Sequence, residues 1–202
     1  MKLTQKSVAA LLEDFRSSAP TPGGGSAAAL AGAIGASLLA MVAALPKPRA
    51  TSDEELQKLR IAGERCAALA TELEDLVDRD SAAYELVMAA YRLPKASDEE
   101  KAQRAAAIQQ ALKSAIAAPL DVMRACRSGA ESGQVARRFG NANAASDVEV
   151  GLELLGAGLR GARLNVEINL GSVKDSGYVE DVRREIQQLS ESGAAAAPSA
   201  SS

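Results

Sequence analysis

The sequence contains no histidine and no tryptophan, and aromatic residues make up only 2% of its 202 residues. Most zinc catalytic sites depend on imidazole, as do the Ser-His-Asp and Cys-His nucleophilic systems. Proton transfer in an enzyme of this composition has to use Asp, Glu, Lys, Tyr, Cys or water. We therefore look for a site among carboxylates and expect no metal centre.

Cysteine is also scarce, and basic residues do not outnumber acidic ones. Cys66 and Cys126 lie far apart without metal-ligand spacing, and two cysteines are too few for a disulfide scaffold, so we predict buried, reduced thiols. The net charge of −3 and the pI of about 5.2 argue against a nucleic-acid partner. Acidic and basic residues interrupt the N-terminal apolar positions, which excludes a signal peptide and predicts a cytoplasmic protein.

The residues that are abundant favour helix. The apolar content is mostly Ala, Leu and Val, and no stretch alternates with the period of two that marks a strand. We predict an all-α bundle in one domain over residues 1–190, followed by a disordered tail at 191–202. Its six main helices are expected at about 4–17, 26–45, 52–91, 97–127, 146–170 and 176–189, with Pro119 as a kink.

Helix ends are predicted from capping signatures. Ser52, Ser97 and Ser146 each precede an acidic first turn with Glu three residues later, the pattern of a capping box. Ser26 can cap the second helix. The polar, glycine-bearing stretch 128–143 is predicted to separate the fourth helix from the fifth.

The segment 26–45 has twenty residues without a charge. Its length would permit a membrane span, but most of its residues are Ala, Gly or Ser and its flanks lack aromatic anchors. We therefore predict a fully buried, Ala/Gly-rich central helix and no membrane partner. Gly32 and Gly35 would let neighbouring helices approach it closely.

Directly before this helix the chain reads PTPGGGSAAALAG. The glycines formally match a dinucleotide fingerprint, but no strand precedes them, and no lysine follows as a phosphate-binding loop requires. Glycines at a helix start expose backbone N–H groups that suit an anionic or electron-rich ligand. A tight turn with positive φ would explain them equally well.

Four stretches carry a resemblance to a known family. They are SSAPTPGGGSAAALAGAIGA at 17–36, DSAAY at 80–84, GNANAASD at 140–147 and RGARLNVEINL at 160–170, with AAYRLPK at 89–95 between them. Their order and spacing resemble the formimidoyltetrahydrofolate cyclodeaminase / methenyltetrahydrofolate cyclohydrolase family, up to about residue 189. The segment 44–49, ALPKPR, departs from the family pattern, which has an Asn-Leu-Thr sequence and a lysine-rich run there.

The resemblance implies an all-helical homodimer in a stand-alone form that acts on one-carbon tetrahydrofolates without a cofactor. The implied reactions are cyclodeamination of 5-formiminotetrahydrofolate to 5,10-methenyltetrahydrofolate, or hydrolysis of the methenyl form to 10-formyltetrahydrofolate. Sequence does not separate the two reactions. The alternative is a non-catalytic helical scaffold or folate-binding protein derived from this family.

Both reactions need acid–base catalysis at a carbon between two nitrogens, which one or two carboxylates can supply. Asp80 and Asp147 are the catalytic candidates, and Tyr84 shares a helix face with Asp80. The other proposed substrate-binding residues are Pro22, Gly23, Gly24, Gly25, Ser26, Asn141, Asn143, Asn165 and Asn169. The enzyme hypothesis predicts that these residues converge in one cleft.

Structural roles are the alternatives at each position. Asp80 could be an exposed ion-paired acid, and Asp147 a first-turn acid that interacts with the helix dipole. Asn165 and Asn169 could bind the pterin edge or cap a neighbouring loop, whereas Asn141 and Asn143 suit turns. Basic candidates for the glutamate tail of a folate are Arg137, Arg138, Lys47 and Arg49.

Overall fold

The protein is described by a computed structural model that covers residues 2–46 and 52–191. These residues form six α-helices and no strand, so the all-α prediction is confirmed. The helices are α1 (Val8–Arg16), α2 (Gly24–Ala44), α3 (Asp53–Arg92), α4 (Asp98–Phe139), α5 (Ala145–Leu170) and α6 (Ser176–Glu191), with short 3-10 turns at Leu3–Gln5 and Ala142–Ala144. The predicted disordered tail from 192 onward, and the basic candidates Lys47 and Arg49, lie outside the described residues.

Helices α2 to α5 form an up-down-up-down bundle in which each helix runs antiparallel to its two neighbours. The start of α2 meets the middle of α3, where Ser26 Oγ lies 2.8 Å from the Val77 carbonyl oxygen, and the end of α2 meets Gly63 near the start of α3. Helix α6 packs outside the bundle and is tied to α4 by the Arg124–Glu185 ion pair. One hydrophobic core runs from α2 to α6.

Helices α2 and α5 touch through their backbones. A Cβ atom added at Gly35 would lie 2.6 Å from the Gly151 carbonyl oxygen, and one at Gly158 would lie 2.8 Å from the Ala28 carbonyl oxygen. Side chains at these positions would have to push two backbones apart. The Gly and Ala content of both helices is therefore a packing requirement, as predicted for Gly35.

The second helix packs against α3, α4 and α5 but is exposed on its outer side. It is long and apolar enough to span a membrane, with a mean hydropathy of 2.0, yet only 44% of that apolar window is buried. The sides toward α3 and α5 are packed, whereas Ile34 and Met41 are 47% and 39% exposed. The prediction of full burial is therefore wrong for the outer side of α2.

Both cysteine thiols are free and buried, as predicted. Burial raises the pKa of the Cys66 thiol to about 11 and that of the Cys126 thiol to about 12. The Cys126 sulfur lies in the narrow space where α2, α4 and α5 meet, beside Gly32 and Gly158. Neither thiol has the low pKa and exposure of a reactive cysteine.

Two of the three predicted capping boxes are present. Ser52 with Glu55 and Ser97 with Glu100 each make the reciprocal pair of hydrogen bonds. The third is wrong, because α5 already begins at Ala145 after a 3-10 turn and has no side-chain cap. The second helix also begins before Ser26, with Gly23 at its N-cap position.

The fourth helix is longer than predicted, because it continues through the polar stretch to Phe139. The glycines that suggested a break lie inside it. Gly129 packs against Leu155, and a Cβ at Gly133 would lie 2.7 Å from the Leu39 side chain. Close packing therefore explains why glycine occupies these two positions, although glycine has a low helix propensity.

Pro119 lies inside α4 and explains one of the two asparagines of α5. Proline has no N–H, so it leaves the carbonyl of the residue four positions earlier without its helical donor. That carbonyl belongs to Ala115, and Asn169 Nδ2 lies 3.4 Å from it. Asn169 thus supplies the hydrogen-bond donor that Pro119 lacks. This structural role is close to the predicted alternative in which Asn169 caps a neighbouring loop.

We expect Gly35→Ala to lower the free energy of unfolding by about 1–3 kcal/mol, because the new methyl group would meet backbone atoms of α5 that cannot rotate away. Gly156→Ala is the matched control, since its Cβ would meet only the flexible end of Arg160. Removing that glycine from a helix should raise the free energy of unfolding by up to about 1 kcal/mol. Urea denaturation measures both; equal effects would contradict backbone contact at Gly35.

Candidate active site

The glycine-rich turn joins α2 directly and contains no positive φ angle among the described residues. The tight-turn alternative is therefore wrong in its left-handed form. Gly25 is required for another reason, because a Cβ atom there would overlap the Asp80 carboxylate. The glycines allow a carboxylate of α3 to lie against the first turn of α2.

Asp80 is held by that first turn. Ser26 donates its backbone N–H to Asp80 Oδ2 at 2.9 Å, and its Oγ lies 3.1 Å from the same oxygen. The Ser26 hydroxyl also contacts the Val77 carbonyl at 2.8 Å and Ser81 Oγ at 3.2 Å. One carboxylate oxygen is thus fixed by α2, while Oδ1 lies over Gly25.

The environment of Asp80 favours its protonated form. Burial raises the pKa of the Asp80 carboxyl, and the two hydrogen bonds from Ser26 oppose that rise only in part. Asp80 has no ion pair among the described residues, so the exposed ion-paired alternative is wrong. A half-buried carboxyl with a raised pKa beside free backbone N–H groups is typical of an acid–base residue.

Ser26 itself is fully buried. Its side chain is therefore not accessible to a substrate and can act only through Asp80. This corrects the expectation of a direct substrate contact. Sequence reasoning missed the neighbouring Ser81, whose hydroxyl contacts Ser26. Only its position beside Asp80 in the DSAAY motif could have indicated it.

Asn165 lies at the same end of the bundle. A Cβ atom at Gly24 would be 3.5 Å from Asn165 Nδ2, which donates to the Gly161 carbonyl at 2.9 Å. Pro22 is half-buried in the turn, and Tyr84 is half-buried one helical turn beyond Asp80. The glycine turn, Asp80 and Asn165 therefore form one cluster, which we call the glycine-turn site.

The remaining candidates lie at the opposite end of α2. Asn141 Nδ2 donates to the Pro46 carbonyl at 2.7 Å, and its Oδ1 accepts from the Asn143 N–H at 2.9 Å, as in an Asx turn. Asp147 stands half-buried in the first turn of α5. We call Asn141, Asn143 and Asp147 the asparagine-turn site.

Within one chain these two sites are far apart. Asp147 lies one turn before Gly151, which packs on Gly35 and Leu39, whereas Asp80 contacts Ser26. The thirteen residues from Ser26 to Leu39 span about 20 Å of helix. The candidates that the enzyme hypothesis places in one cleft therefore do not converge within a single chain.

One sizeable cavity among the described residues coincides with neither site. A groove of about 680 Å³ lies between the end of α2 and the start of α3, lined by Ala40, Ala43, Ala44, Leu45, Pro46, Leu56, Leu59, Arg60, Gly63, Glu64 and Ala67. Its two charged residues, Arg60 and Glu64, pair with each other. We place the chemistry at Asp80, because its carboxyl has a raised pKa, has no ion pair among the described residues and lies against the first turn of α2.

The predicted basic residues Arg137 and Arg138 already interact with other side chains of the same chain. Arg137 forms an ion pair with Glu149, and the Arg138 guanidinium lies 5.0 Å from the centre of the Phe139 ring. Among the described residues, no three His, Cys, Asp or Glu side chains cluster as metal ligands would.

Residues 7–188 match the sequence profile of the formiminotransferase-cyclodeaminase family. The chain belongs to this family. The match spans both ends of the bundle, so the glycine-turn and asparagine-turn sites both lie inside the family domain.

Relatives within the family differ in length and in name. A methenyltetrahydrofolate cyclohydrolase from Methylorubrum extorquens is 40% identical over 190 residues, covering 94% of this chain and 91% of the relative. The formimidoyltransferase-cyclodeaminase of Sus scrofa is 34% identical, but the match covers 93% of this chain and only 35% of that protein. The crystal structure of formiminotetrahydrofolate cyclodeaminase from Thermotoga maritima superposes with a TM-score of 0.84 at 27% identity, covering 96% of this chain and 92% of that one.

The raised pKa of Asp80 predicts a pH dependence of stability. Since the folded protein binds this proton more tightly than the unfolded chain, the stability present below the ordinary pKa of 3.8 declines as pH rises through the folded pKa. Asp80→Asn removes that decline, so the stability of the variant relative to wild type should increase as the pH rises above 3.8, the ordinary carboxyl pKa. Thermal unfolding at several pH values measures the difference.

Asp181→Asn, at an exposed carboxylate on α6, is the control and should track the wild-type pH dependence. A constant offset of Asp80→Asn from wild type at every pH would contradict a raised pKa at Asp80.

Proposed function

We propose that the protein hydrolyses 5,10-methenyltetrahydrofolate to 10-formyltetrahydrofolate, with Asp80 as the acid–base residue. The observation that carries this proposal is the Asp80 carboxyl, half-buried and held at one oxygen by the first turn of α2. The 40% identity with a cyclohydrolase over nearly its full length supports the choice of reaction.

The chemistry fits one carboxylate that both accepts and donates a proton. Asp80 Oδ1 takes a proton from water as the water oxygen bonds to the methenyl carbon, whose positive charge the carboxylate stabilises. Asp80 then gives that proton to N5 as the bond from carbon to N5 breaks, and the hydroxyl proton leaves to solvent. This sequence forms the 10-formyl group and releases one proton, and it uses neither a redox cofactor nor a metal.

Ser26 would act in this scheme through Asp80. Its N–H and hydroxyl fix Oδ2, which orients Oδ1 toward the space over Gly25. The backbone N–H groups of Gly24 and Gly25 belong to the first turn of α2, where a helix leaves such groups without partners. They would receive an electron-rich edge of the substrate, with Asn165 beside them.

Cyclodeamination of 5-formiminotetrahydrofolate is the second candidate, favoured by the structural match to a cyclodeaminase. Asp80 would then take the proton that N10 loses as it bonds to the formimino carbon, and pass it to the formimino nitrogen. That nitrogen takes a second proton from solvent and leaves as ammonia when its bond to the carbon breaks. Both reactions share the methenyl form, so one site can serve either.

Three further expectations remain part of the proposal. The protein would be a homodimer, would lie in the cytoplasm, and would have no nucleic-acid or membrane partner. The net charge of −3 supports the absence of a nucleic-acid partner, and the exposed apolar side of α2 supports a dimer.

The decay of the 5,10-methenyltetrahydrofolate absorbance tests the function. We expect the purified protein to accelerate the decay above buffer, and Asp80→Asn to lower the rate by about 10²-fold or more, the usual contribution of a general acid–base residue. The variant Asp181→Asn, which changes an exposed carboxylate on α6, should match wild type.

A folded Asp80→Asn protein with wild-type rate would exclude Asp80 as the catalytic group. If wild type gives no decay above buffer, the same chromophore is followed as it forms from 5-formiminotetrahydrofolate. Inactivity in both assays would leave the alternative of a non-catalytic scaffold or folate-binding protein.

A further inference from the structure

The Ser26 hydroxyl is surrounded by oxygen atoms of α3. Its Oγ lies 2.8 Å from the Val77 carbonyl oxygen, 3.1 Å from Asp80 Oδ2 and 3.2 Å from Ser81 Oγ. Ser26 is fully buried, so its hydroxyl interacts with these protein atoms and has no contact with bulk solvent. The oxygen that receives the Ser26 hydrogen therefore decides how firmly Asp80 is held.

A hydroxyl group has one hydrogen to donate. The Ser26 hydroxyl can therefore donate to Val77 or to Asp80, but not to both at once. The Val77 carbonyl does not depend on Ser26, because within α3 it also accepts the helical N–H of Ser81. Asp80 depends on Ser26 more strongly, because Ser26 supplies both hydrogen bonds that hold Oδ2.

The charge on Asp80 decides between the two acceptors. A charged carboxylate oxygen is a stronger acceptor than a carbonyl oxygen, so the Ser26 hydrogen points to Oδ2 while Asp80 is ionised. Once Oδ1 holds a proton, Oδ2 is no longer charged, and the closer Val77 carbonyl is the better acceptor. The Ser26 hydroxyl thus has two positions that follow the protonation of Asp80.

Ser81 lies on the far side of Ser26 Oγ, which is its one hydrogen-bond partner in the part of the chain that the structure describes. When Ser26 donates to Asp80, the lone pairs of Ser26 Oγ can accept the hydrogen of the Ser81 hydroxyl. Ser81, Ser26 and Asp80 then form a chain in which each hydroxyl polarises the next. Because the gain is larger with a charged acceptor, donation from Ser81 favours the ionised carboxyl.

Other titratable groups around Asp80 leave this role to the two hydroxyls. On α3, Asp78 accepts the Leu3 N–H, Arg79 forms an ion pair with α4, and Tyr84 lies one turn further on. The first turn of α2 has no titratable side chain, and the neighbouring residue of α5 is an uncharged asparagine. Burial and the hydrogen bonds from α2 therefore set the pKa of Asp80.

We propose that Ser81 is a positioning residue for Asp80: its hydroxyl donates to Ser26 Oγ and directs the Ser26 hydrogen to Asp80 Oδ2 whenever the carboxylate is charged. When Oδ1 takes a proton, the Ser26 hydrogen turns to the Val77 carbonyl, and it returns when Oδ1 gives the proton up. Only O–H bonds rotate, so both hydroxyls keep their own protons. The inference rests on the proposed function for its catalytic meaning, in which Oδ1 takes a proton from water.

The titration of the Asp80 carboxyl tests this role without any substrate. Carbon-13 NMR of the aspartate carboxyl groups follows the titration, and Asp80→Asn assigns the signal. Ser81→Ala removes the last donor of the chain, so the midpoint should move to higher pH by about 0.5 unit, the effect of weakening one charge-assisted hydrogen bond by a few tenths. Ser81→Thr keeps a hydroxyl at the same position and should keep the wild-type midpoint.

Ser114→Ala is the matched control. Ser114 is a half-buried serine inside α4 whose hydroxyl bonds its own helix at the Gln110 carbonyl, so its loss should leave the Asp80 midpoint unchanged. A Ser81→Ala midpoint equal to that of wild type overturns the proposal. A Ser81→Thr midpoint that moves as far as that of Ser81→Ala overturns it as well.

The Ser26→Ala background separates action through Ser26 from a general structural effect. Without the Ser26 hydroxyl, Ser81 has no group through which to reach Asp80. Adding Ser81→Ala to Ser26→Ala should therefore not move the midpoint further, so the two effects are non-additive. A further shift as large as that in the wild-type background shows that Ser81 acts by another route, and the positioning role is then wrong.

Activity gives a second readout that separates the inference from the function. Asp80 acts first as a base, so kcat/KM should rise with pH as the carboxyl ionises, and Ser81→Ala should move that rise to higher pH by the same amount as the NMR midpoint. If wild type is inactive on both folates, the proposed function fails, and the NMR titration still decides the role of Ser81. An active Ser81→Ala variant with an unchanged pH profile and midpoint leaves the function standing and overturns the inference.

Discussion

Backbone contact between α2 and α5 is the constraint on which the other features depend. Gly35 against Gly151, and Gly158 against Ala28, leave no room for a Cβ atom between the two helices. Such contact needs long stretches of Gly and Ala, which accounts for the uncharged composition of α2. The contact also fixes the position of α5 along the axis of α2. This position sets which residues of α5 lie beside each end of α2.

A similarly close approach between α2 and α3 forms the candidate catalytic site. Because Gly25 has no side chain, the Asp80 carboxylate lies against the first turn of α2 and receives two hydrogen bonds from Ser26. Burial raises the carboxyl pKa, although the hydrogen bonds favour the charged form. The balance leaves a carboxyl that can hold and release a proton in a protein without histidine.

A helix pair about 30 Å long, the length of the 21 residues of α2, separates residues that sequence motifs suggest should act together. The glycine turn and the asparagine turn mark its two ends. On the outer side of the pair, Ile34 and Met41 of α2 and Leu164 and Ile168 of α5 are exposed.

The sequence by itself determined the helices, their number and most of their ends, because capping residues and prolines act locally. It also indicated Asp80 and the glycine turn, whose motif matches the family. Tertiary structure decided why Gly25 is needed, that Ser26 is buried, and that α4 continues past its glycines, since each depends on an atom from another helix. The tertiary structure also placed Asp147 far from Asp80. The distance between two motifs depends on the length and direction of the helices that connect them, and a local sequence pattern does not give the direction.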